Sequence, residues 1–275
     1  MIKIKKRISS GYINESFEDR SSLHRGAPVK SLVKTKKEKS GRDDRGRISI
    51  RHRGAGAKRK YRLVSSLDEF IGMKAEVIRK EYDPNRSAYL ILVKFENGQL
   101  RYLIAPEQVK IGDKISASDS VDAEAGNRSQ LKNLPVGSQV SDIELYPGSM
   151  SHLARSAGVY ATLMAMDKDY ALMKLPSGEL RRVSGECYAS FGQVSNPDHS
   201  NIRIGRAGRK RRMGIRPSVR GKVMSPRAHP HGGGEGVNPI GLKYPKTPWG
   251  KIAIGKKTRK AKNSDKFIIK KRSAK

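Results

Sequence analysis

AYLILVKFENGQLRYLIA, residues 88–105, is the stretch that decides the fold class. Both of its ends are rich in β-branched, aliphatic and aromatic side chains, which favour strands. Between them, Glu96-Asn97-Gly98-Gln99 contains the Asn-Gly pair that accepts the positive φ angles of a type I′ turn. The stretch therefore predicts a hairpin of two antiparallel strands, Ala88–Phe95 and Leu100–Ala105.

Further short strand patterns, separated by turn residues, lie on both sides of this hairpin. In chain order they are Ala75–Arg79, Val109–Ile115, Gln139–Leu145, Val159–Met166, Tyr170–Leu175, Leu180–Val183 and Tyr188–Val194. This spacing is typical of small antiparallel barrels rather than of a parallel α/β sheet. Ser116–Asn133 lacks a strand pattern and divides the strands into two groups, so we predict two barrels.

Charge divides the chain into a near-neutral middle and two cationic ends. The net charge is +14 over residues 1–66, −2 over residues 67–195 and +20 over residues 196–275. We therefore expect a mainly β protein in four parts. They are a basic N-terminal extension (1–66), a first barrel (67–125), a second barrel (126–195) and a basic C-terminal extension (196–275).

A net charge of +32 and a pI of about 10.4 imply a large polyanionic partner. Nucleic acid is the first candidate, and an acidic membrane surface is the second. No apolar run approaches the roughly 20 residues of a spanning helix, so we expect no membrane insertion. The single cysteine, Cys187, excludes an intramolecular disulfide framework and a cysteine-rich zinc module.

The C-terminal extension is rich in glycine and proline, and Glu235 is its only acid between Asp198 and Asp265. Such a segment cannot bury enough apolar surface to fold alone. It is either a disordered solvated tail or an extended segment with a defined path that its partner orders. The varied sequence favours the second interpretation.

Two dense basic clusters and a third near the C-terminus are the predicted nucleic-acid contacts. Arginine predominates in the first two, and its guanidinium group binds phosphate in a bidentate manner. The clusters comprise Arg47, Arg51, His52, Arg53, Lys58, Lys60 and Arg62, then Arg206, Arg209, Arg211, Arg212, Arg216 and Arg220, and finally Lys256, Lys257 and Arg259. Gly54 and Gly56 in the first cluster would permit a close backbone approach to phosphate.

AHPHGGGEG, residues 228–236, allows three interpretations. His229, His231 and Glu235 could bind a metal ion, but the glycines provide no rigid support for such ligands. They could also belong to a hydrolase, but no second acid lies nearby. We favour the third interpretation. Gly232, Gly233 and Gly234 let the backbone enter a gap too narrow for a Cβ, and the histidines contact nucleotides. We therefore predict no catalytic residue, no metal and no cofactor.

Several segments of the sequence resemble the universal large-subunit ribosomal protein two family, in its bacterial form. They are Gly46-Arg47-Ile48, the run from Glu81 to Ala88, Leu153–Gly158, Arg216–Gly221, residues 228–236, Thr247-Pro248-Trp249-Gly250 and Lys256–Arg259. The similarity covers nearly the whole chain and is weakest over the first forty or so residues. It adds Arg155 and Trp249 to the predicted RNA contacts.

The resemblance implies an oligonucleotide-binding (OB) barrel followed by an SH3-like barrel, with long irregular extensions that penetrate ribosomal RNA close to the peptidyl-transferase centre. It implies roles in subunit association, tRNA binding and peptide-bond formation. The expected partners are large-subunit ribosomal RNA, other ribosomal proteins and the small subunit, without a membrane and without a homo-oligomer. The expected location is the cytoplasmic ribosome, with an organelle ribosome as the other possibility.

The chain departs from the family pattern at Ala228, where bacterial relatives usually have Asp. This loss removes an acid that could orient His229, so a general-base role is hard to sustain. Two other functions stay open at this stage. One is an enzyme acting on nucleic acid through His229, His231 and Glu235, and the other is a free-standing chromatin-like binder.

Overall fold

A computed structural model describes residues 2–6, 15–119 and 122–272, and strands predominate in them. The strands of these residues are, in chain order, β1 (Ile2–Ile4), β2 (Ser16–Glu18), β3 (Val33–Thr35), β4 (Lys60–Arg62), β5 (Lys74–Glu81), β6 (Leu90–Phe95), β7 (Leu100–Ile104), β8 (Lys114–Ser116), β9 (Arg128–Gln130), β10 (Gln139–Ser141), β11 (Ile143–Glu144), β12 (Ser151–Leu153), β13 (Ala161–Asp167), β14 (Tyr170–Lys174), β15 (Leu180–Ser184), β16 (Tyr188–Phe191) and β17 (Ile268–Lys270).

Helices are few and short. In the described residues they are the α-helix α1 (Ala207–Arg212) and 3-10 helices at Lys30–Leu32, Leu67–Phe70, Leu131–Asn133, Pro197–Asn201, Gly221–Val223 and Asn263–Phe267. None of the helices in the described part of the chain combines the length and the apolar character needed to cross a membrane.

The predicted hairpin is present as β6 and β7, which pair in register from Leu90 opposite Ile104 to Lys94 opposite Leu100. Gly98 has φ +80° at its turn. The hairpin belongs to an antiparallel sheet with the order β7-β6-β5-β8. One face of the sheet packs into a core that includes Val93 and Phe95. This sheet forms the OB-type barrel.

The other face of β6 is also buried, which explains why its sequence is apolar almost without alternation. Leu90, Leu92 and Tyr102 form a second small core. Val29, Leu32 and Val64 from the N-terminal region pack against it. Residues outside the predicted barrel therefore complete its hydrophobic surface.

The second group of strands forms a seven-stranded antiparallel sheet with the order β17-β15-β14-β13-β10-β16-β9. Its core includes Val140, Leu163, Met173 and Cys187. This is the SH3-like barrel, so the structure confirms the predicted mainly β class. The edge strand β17 comes from the C-terminal region, where the sequence predicted no strand.

The segment predicted as a loop, Ser116–Asn133, contains the strand β9. The prediction was wrong here because Arg128 and Ser129 are buried polar residues, and hydrophobic periodicity does not detect them. Arg128 is 1% exposed, and its guanidinium group bonds both carboxylate oxygens of Asp68 and the hydroxyl of Ser151. It also donates to the Asp142 carbonyl, so one side chain links four separate segments.

The described residues divide into two compact units. The barrel unit consists of Met1–Lys37, Lys58–Ala207 and Ser264–Lys275, and the basic unit consists of Glu38–Ala57 and Gly208–Asn263. Both basic extensions thus contribute to both units. From the sequence we expected each extension to be one continuous segment, and the division of each extension between two units was not predicted.

Candidate nucleic-acid interface

Backbone hydrogen bonds hold the two segments of the basic unit together. They run from the Gly54 N–H to the Gly214 carbonyl (2.9 Å), from the Ala57 N–H to the Arg212 carbonyl (2.9 Å) and from the Arg216 N–H to the His52 carbonyl (3.0 Å). Because the bonded residues are more than 150 positions apart in the sequence, no local pattern indicates the pairing. The two main arginine clusters become neighbours through these bonds.

Gly56 shows why glycine is required at this junction. Its φ is +68°, and a Cβ there would lie 2.7 Å from the Arg212 carbonyl oxygen. The close approach that the sequence predicted is therefore an approach to the chain's own C-terminal segment. This close packing joins the two segments of the basic unit, whereas we had expected Gly56 to approach phosphate.

Most side chains of the first cluster are exposed, namely Arg47, Arg51, His52, Arg53, Lys58 and Lys60. Arg62 is the exception, because it is only 8% exposed. Its guanidinium group lies 3.5 Å from a Glu81 carboxylate oxygen and 3.6 Å from one of Asp83. The charge of Arg62 is thus balanced inside the barrel unit, and its contact with RNA stays a prediction.

Arg155 is also paired within the protein. Its Nε lies 2.8 Å from Asp142 Oδ1, and its guanidinium group donates to the Ser151 carbonyl at 2.9 Å. The side chain is 33% exposed, so one edge is accessible to solvent. Its main contacts nevertheless stabilise the barrel unit.

The second cluster includes α1, a helix of six residues whose last four are all basic. Lys210, Arg211 and Arg212 are exposed, as are Arg216 and Arg220 further along the chain, and Arg209 is half-buried. Arg206 precedes the helix and lies 3.1 Å from Glu15 Oε1. Cations at a helix C-terminus interact favourably with the helix dipole, so the charge of α1 is compatible with its fold.

Six exposed arginines of the basic unit have no acidic partner among the described residues. In the part of the chain that the structure describes, no carboxylate pairs with Arg51, Arg53, Arg211, Arg212, Arg216 or Arg220. By contrast, the barrel unit pairs Arg62, Arg79, Arg86, Arg128 and Arg155 with carboxylates. The basic unit therefore presents free guanidinium groups, which are the groups that bind phosphate.

His229 is buried, at 7% exposure, in the protein's own fold. Its ring packs against Gly221, where a Cβ would lie 2.5 Å from the ring. The His231 N–H donates to His229 Nδ1 (3.0 Å), and the Lys246 N–H donates to His231 Nε2 (2.8 Å). The rings also contact each other, with centroids 4.7 Å apart.

These hydrogen bonds determine the tautomer of each neutral ring. A backbone N–H only donates, so His229 carries its proton on Nε2 and His231 carries its proton on Nδ1. Ala228 cannot orient His229, but another group of the fold does. The group that does so is the backbone N–H of His231, so no acid at position 228 is needed.

The same bonds bear on the metal and hydrolase interpretations. In each neutral ring the lone pair already accepts a backbone N–H, which leaves neither ring a nitrogen for a metal ion. Among the described residues, no three histidine, cysteine or acidic side chains are grouped so that they could hold a metal ion. The two histidines therefore have a structural role in this arrangement.

The chain itself forms the narrow gap at the three glycines. A Cβ on Gly232 would lie 2.2 Å from the Ser225 carbonyl oxygen. Gly233 and Gly234 have φ +95° and +69°, a region that side chains rarely adopt. The glycines are thus required by the local fold, whereas their predicted contact with RNA stays a prediction.

Trp249 is 74% exposed at a tight turn. The Thr247 N–H donates to the Lys251 carbonyl at 2.8 Å, which closes the turn and presents the indole to solvent. Beyond this turn, Lys256, Lys257 and Arg259 are exposed. An exposed aromatic ring beside cations is suited to stacking on a base.

Cys187 is fully buried. Burial, together with the nearby Glu144 and Glu186 carboxylates, raises the pKa of its thiol to about 12. The thiol is therefore protonated at neutral pH and is not a nucleophile.

Arg42, Ile48 and Ile50 were not among the site residues predicted from the sequence. The structure places them with Arg51, Arg53 and Arg216 around a cleft of the basic unit. The alternation Arg47-Ile48-Ser49-Ile50-Arg51 was the available signal, since isoleucine is unusual within an otherwise polar segment.

Comparisons with known proteins agree with this arrangement. Residues 29–117 match the RNA-binding N-terminal domain of ribosomal proteins L2, and residues 124–250 match the C-terminal domain. Two relatives are named large ribosomal subunit protein uL2. The one from Rhodospirillum centenum is 51% identical over 93% of both chains. The one from Maricaulis maris is 51% identical over 98% of this chain and 97% of the relative. The chain therefore belongs to the ribosomal protein L2 (uL2) family.

Proposed function

We propose that this chain is a structural, RNA-binding constituent of the large ribosomal subunit and has no catalytic group of its own. The observation that carries the proposal is the set of unpaired, exposed arginines on the basic unit. Such groups neutralise phosphates and make binding strongly dependent on salt. Family membership supports RNA as the polyanion.

We also propose a location for the extensions within the ribosome. The extensions would reach ribosomal RNA close to the peptidyl-transferase centre, with further contacts to neighbouring ribosomal proteins and to the small subunit. There the chain would support subunit association, tRNA binding and peptide-bond formation. We further propose residues 67–125 and 126–195 as the barrels that carry these extensions.

The primary test is sedimentation of the full chain with large ribosomal subunits. We expect the protein to co-sediment with the subunit at moderate salt and to be released at high salt. A matched pair of triple variants identifies the binding groups. Arg51→Gln, Arg53→Gln and Arg216→Gln remove free cations, whereas Lys94→Gln, Lys114→Gln and Lys174→Gln remove the same charge from the barrels. The proposal is wrong if the wild-type chain stays unbound, or if both variants lose binding equally.

A second test separates structural support from catalysis. His229→Ala should reduce assembly, because it removes a buried ring and leaves the His231 N–H without its acceptor. Large subunits that do assemble should form peptide bonds at near the normal rate per particle. Loss of a general base would instead slow the reaction by about 100- to 10,000-fold. A fall of that size in intact particles would restore the catalytic interpretation.

A further inference from the structure

The basic unit contains a cleft of about 500 Å³. This volume lies within the roughly 300–1,000 Å³ of pockets that bind small organic ligands. Its lining combines four cations and two apolar side chains, namely Arg42, Arg51, Arg53, Arg216, Ile48 and Ile50. Such a combination fits a ligand that has both negative charge and an apolar surface.

The cations of the cleft are available to a ligand. Arg51, Arg53 and Arg216 are exposed and have no carboxylate partner among the described residues. No acidic side chain is among the described residues that line the cleft. Of the two acids nearby in the sequence, Asp43 accepts the backbone N–H groups of Arg45 (3.0 Å) and Arg47 (2.8 Å), and Asp44 pairs with Lys39. The cleft therefore lacks an internal counter-charge, which favours an anion such as a phosphodiester.

The apolar side chains of the cleft indicate that the ligand also has an apolar surface. Ile48 and Ile50 are 64% and 58% exposed, although burial of such side chains is favourable. A duplex presents phosphates but keeps the faces of its bases stacked. An unpaired nucleotide offers a base face as well, which can lie against apolar side chains or the plane of an arginine guanidinium group.

Backbone contacts hold the cleft in shape before any ligand binds. The Ser49 and Ile50 N–H groups both donate to the Gly41 carbonyl, at 2.9 and 3.0 Å. His52 has φ +61°, and its Nδ1 lies 3.2 Å from the Pro217 carbonyl oxygen. A carbonyl only accepts, so in the neutral ring Nδ1 carries the proton, and Nε2 has a lone pair that can accept from a ribose 2′-hydroxyl or a base amino group.

We propose that this cleft receives one unpaired nucleotide of RNA. Its base lies against Ile48 and Ile50, and the phosphates on either side of it are bound by Arg51, Arg53 and Arg216. The proposal rests on the proposed function as an RNA-binding protein and adds what the site recognises, namely a base extruded from a helix.

The test measures binding of the full chain to three RNA hairpins at physiological ionic strength, by fluorescence anisotropy. One hairpin is fully paired, one carries a single bulged adenosine, and one carries an abasic residue at the bulge. We expect the chain to prefer the adenosine bulge over the other two by about 4- to 15-fold. This range corresponds to burial of roughly one or two methylene equivalents of apolar surface.

Variants then assign the preference to the cleft. Ile50→Ser should abolish the preference while binding to the paired hairpin is unchanged, and that binding reports a folded chain. Ile48→Ser provides a second variant, and Ile111→Ser provides the control, because Ile111 is 62% exposed on the barrel unit. Ile111→Ser should keep the preference.

The outcomes distinguish the two proposals. Equal affinity of the wild-type chain for all three hairpins would overturn the nucleotide cleft and leave RNA binding intact. A preference that survives both Ile50→Ser and Ile48→Ser would also overturn it. Failure of the wild-type chain to bind any hairpin would count against the proposed function itself.

Discussion

At the scale of single residues, an arginine acts either as a structural cation or as a free one. Arg128 is 1% exposed and paired with Asp68 and Asp142, whereas Arg216 is exposed and has no carboxylate partner among the described residues. The desolvation of a buried guanidinium group is offset only if its partners are present. The sequence does not distinguish these two kinds of arginine. The net charge of the chain therefore overstates the number of cations that are available to RNA.

Arg128→Met should lower the free energy of unfolding of the barrel unit by about 3–5 kcal/mol. The substitution leaves the Asp68 and Asp142 carboxylates without their buried partner. The matched control is Arg182→Met, because Arg182 is 48% exposed and pairs with Asp167 at 3.5 Å. An exposed pair contributes about 0–1 kcal/mol. Urea titrations followed by circular dichroism measure both, and equal losses would contradict the assignment.

Gly232→Ala should disrupt the loop that carries the two histidines. The new Cβ would meet the Ser225 carbonyl oxygen, and overpacking of this kind costs about 1–3 kcal/mol. Gly208→Ala is the control, since a Cβ there meets open space within α1 and alanine favours a helix. Hydrogen exchange at the Gly232 and Gly233 amides would report the loss. Unchanged protection in Gly232→Ala would show that the gap is not as narrow as described.

At the scale of elements, α1 has a regular C-terminal end although its last four residues are all basic. Gly214 has φ +84° just after the helix, and its N–H donates to the Arg211 carbonyl (3.0 Å). The Ile215 N–H donates to the Lys210 carbonyl (3.2 Å). Such a glycine end satisfies the last carbonyls of a helix. The end of α1 is therefore stabilised by backbone hydrogen bonds, and Lys210, Arg211 and Arg212 project into solvent.

Replacing Arg209, Lys210, Arg211 and Arg212 together by alanine should leave α1 helical, because alanine has the highest helix propensity. The slope of log affinity against log salt for RNA should fall by roughly 2 to 4, if most of these residues contact phosphate. The control replaces Lys94, Lys110, Lys114 and Lys174, exposed cations of the barrels, by alanine. The same net charge is removed, so equal changes in slope would show that α1 makes no specific contact.

At the scale of the whole molecule, the barrel unit depends on chain outside the predicted barrels. Val29, Leu32 and Val64 cover Leu90 and its neighbours on the second face of β6. In addition, β17, which lies near the C-terminus, pairs with β15. Boundaries drawn from charge alone leave these covering residues out.

A fragment of residues 67–195 should be β-rich but less stable than a fragment of residues 29–207, by roughly 3 kcal/mol or more. It lacks the three covering side chains, each of which contributes up to about 1.5–3 kcal/mol when fully buried. A fragment of residues 29–195 is the control and should resemble the longer one. Urea midpoints measure the difference. Equal stability of all three fragments would show that the cover contributes little.

The fold class and the family could be predicted from the sequence because their signals are local. Each signal occupies a few consecutive residues. The signals are alternating or apolar strand patterns, an Asn-Gly turn and the sequence motifs of the family. The hairpin of β6 and β7 appears where the sequence placed it. The short strand β9 was missed, because its buried residues are polar and follow no hydrophobic period.

The candidate site could be predicted only in outline. The sequence determined where cations are concentrated and that their partner is polyanionic. Only the tertiary structure decided which arginines have a carboxylate partner, which histidine nitrogen accepts a hydrogen bond and which segments form the cleft. The physical reason is that ion pairs, backbone contacts and clefts join distant residues. His52 and Pro217 are 165 positions apart, and no pattern within either segment specifies their contact.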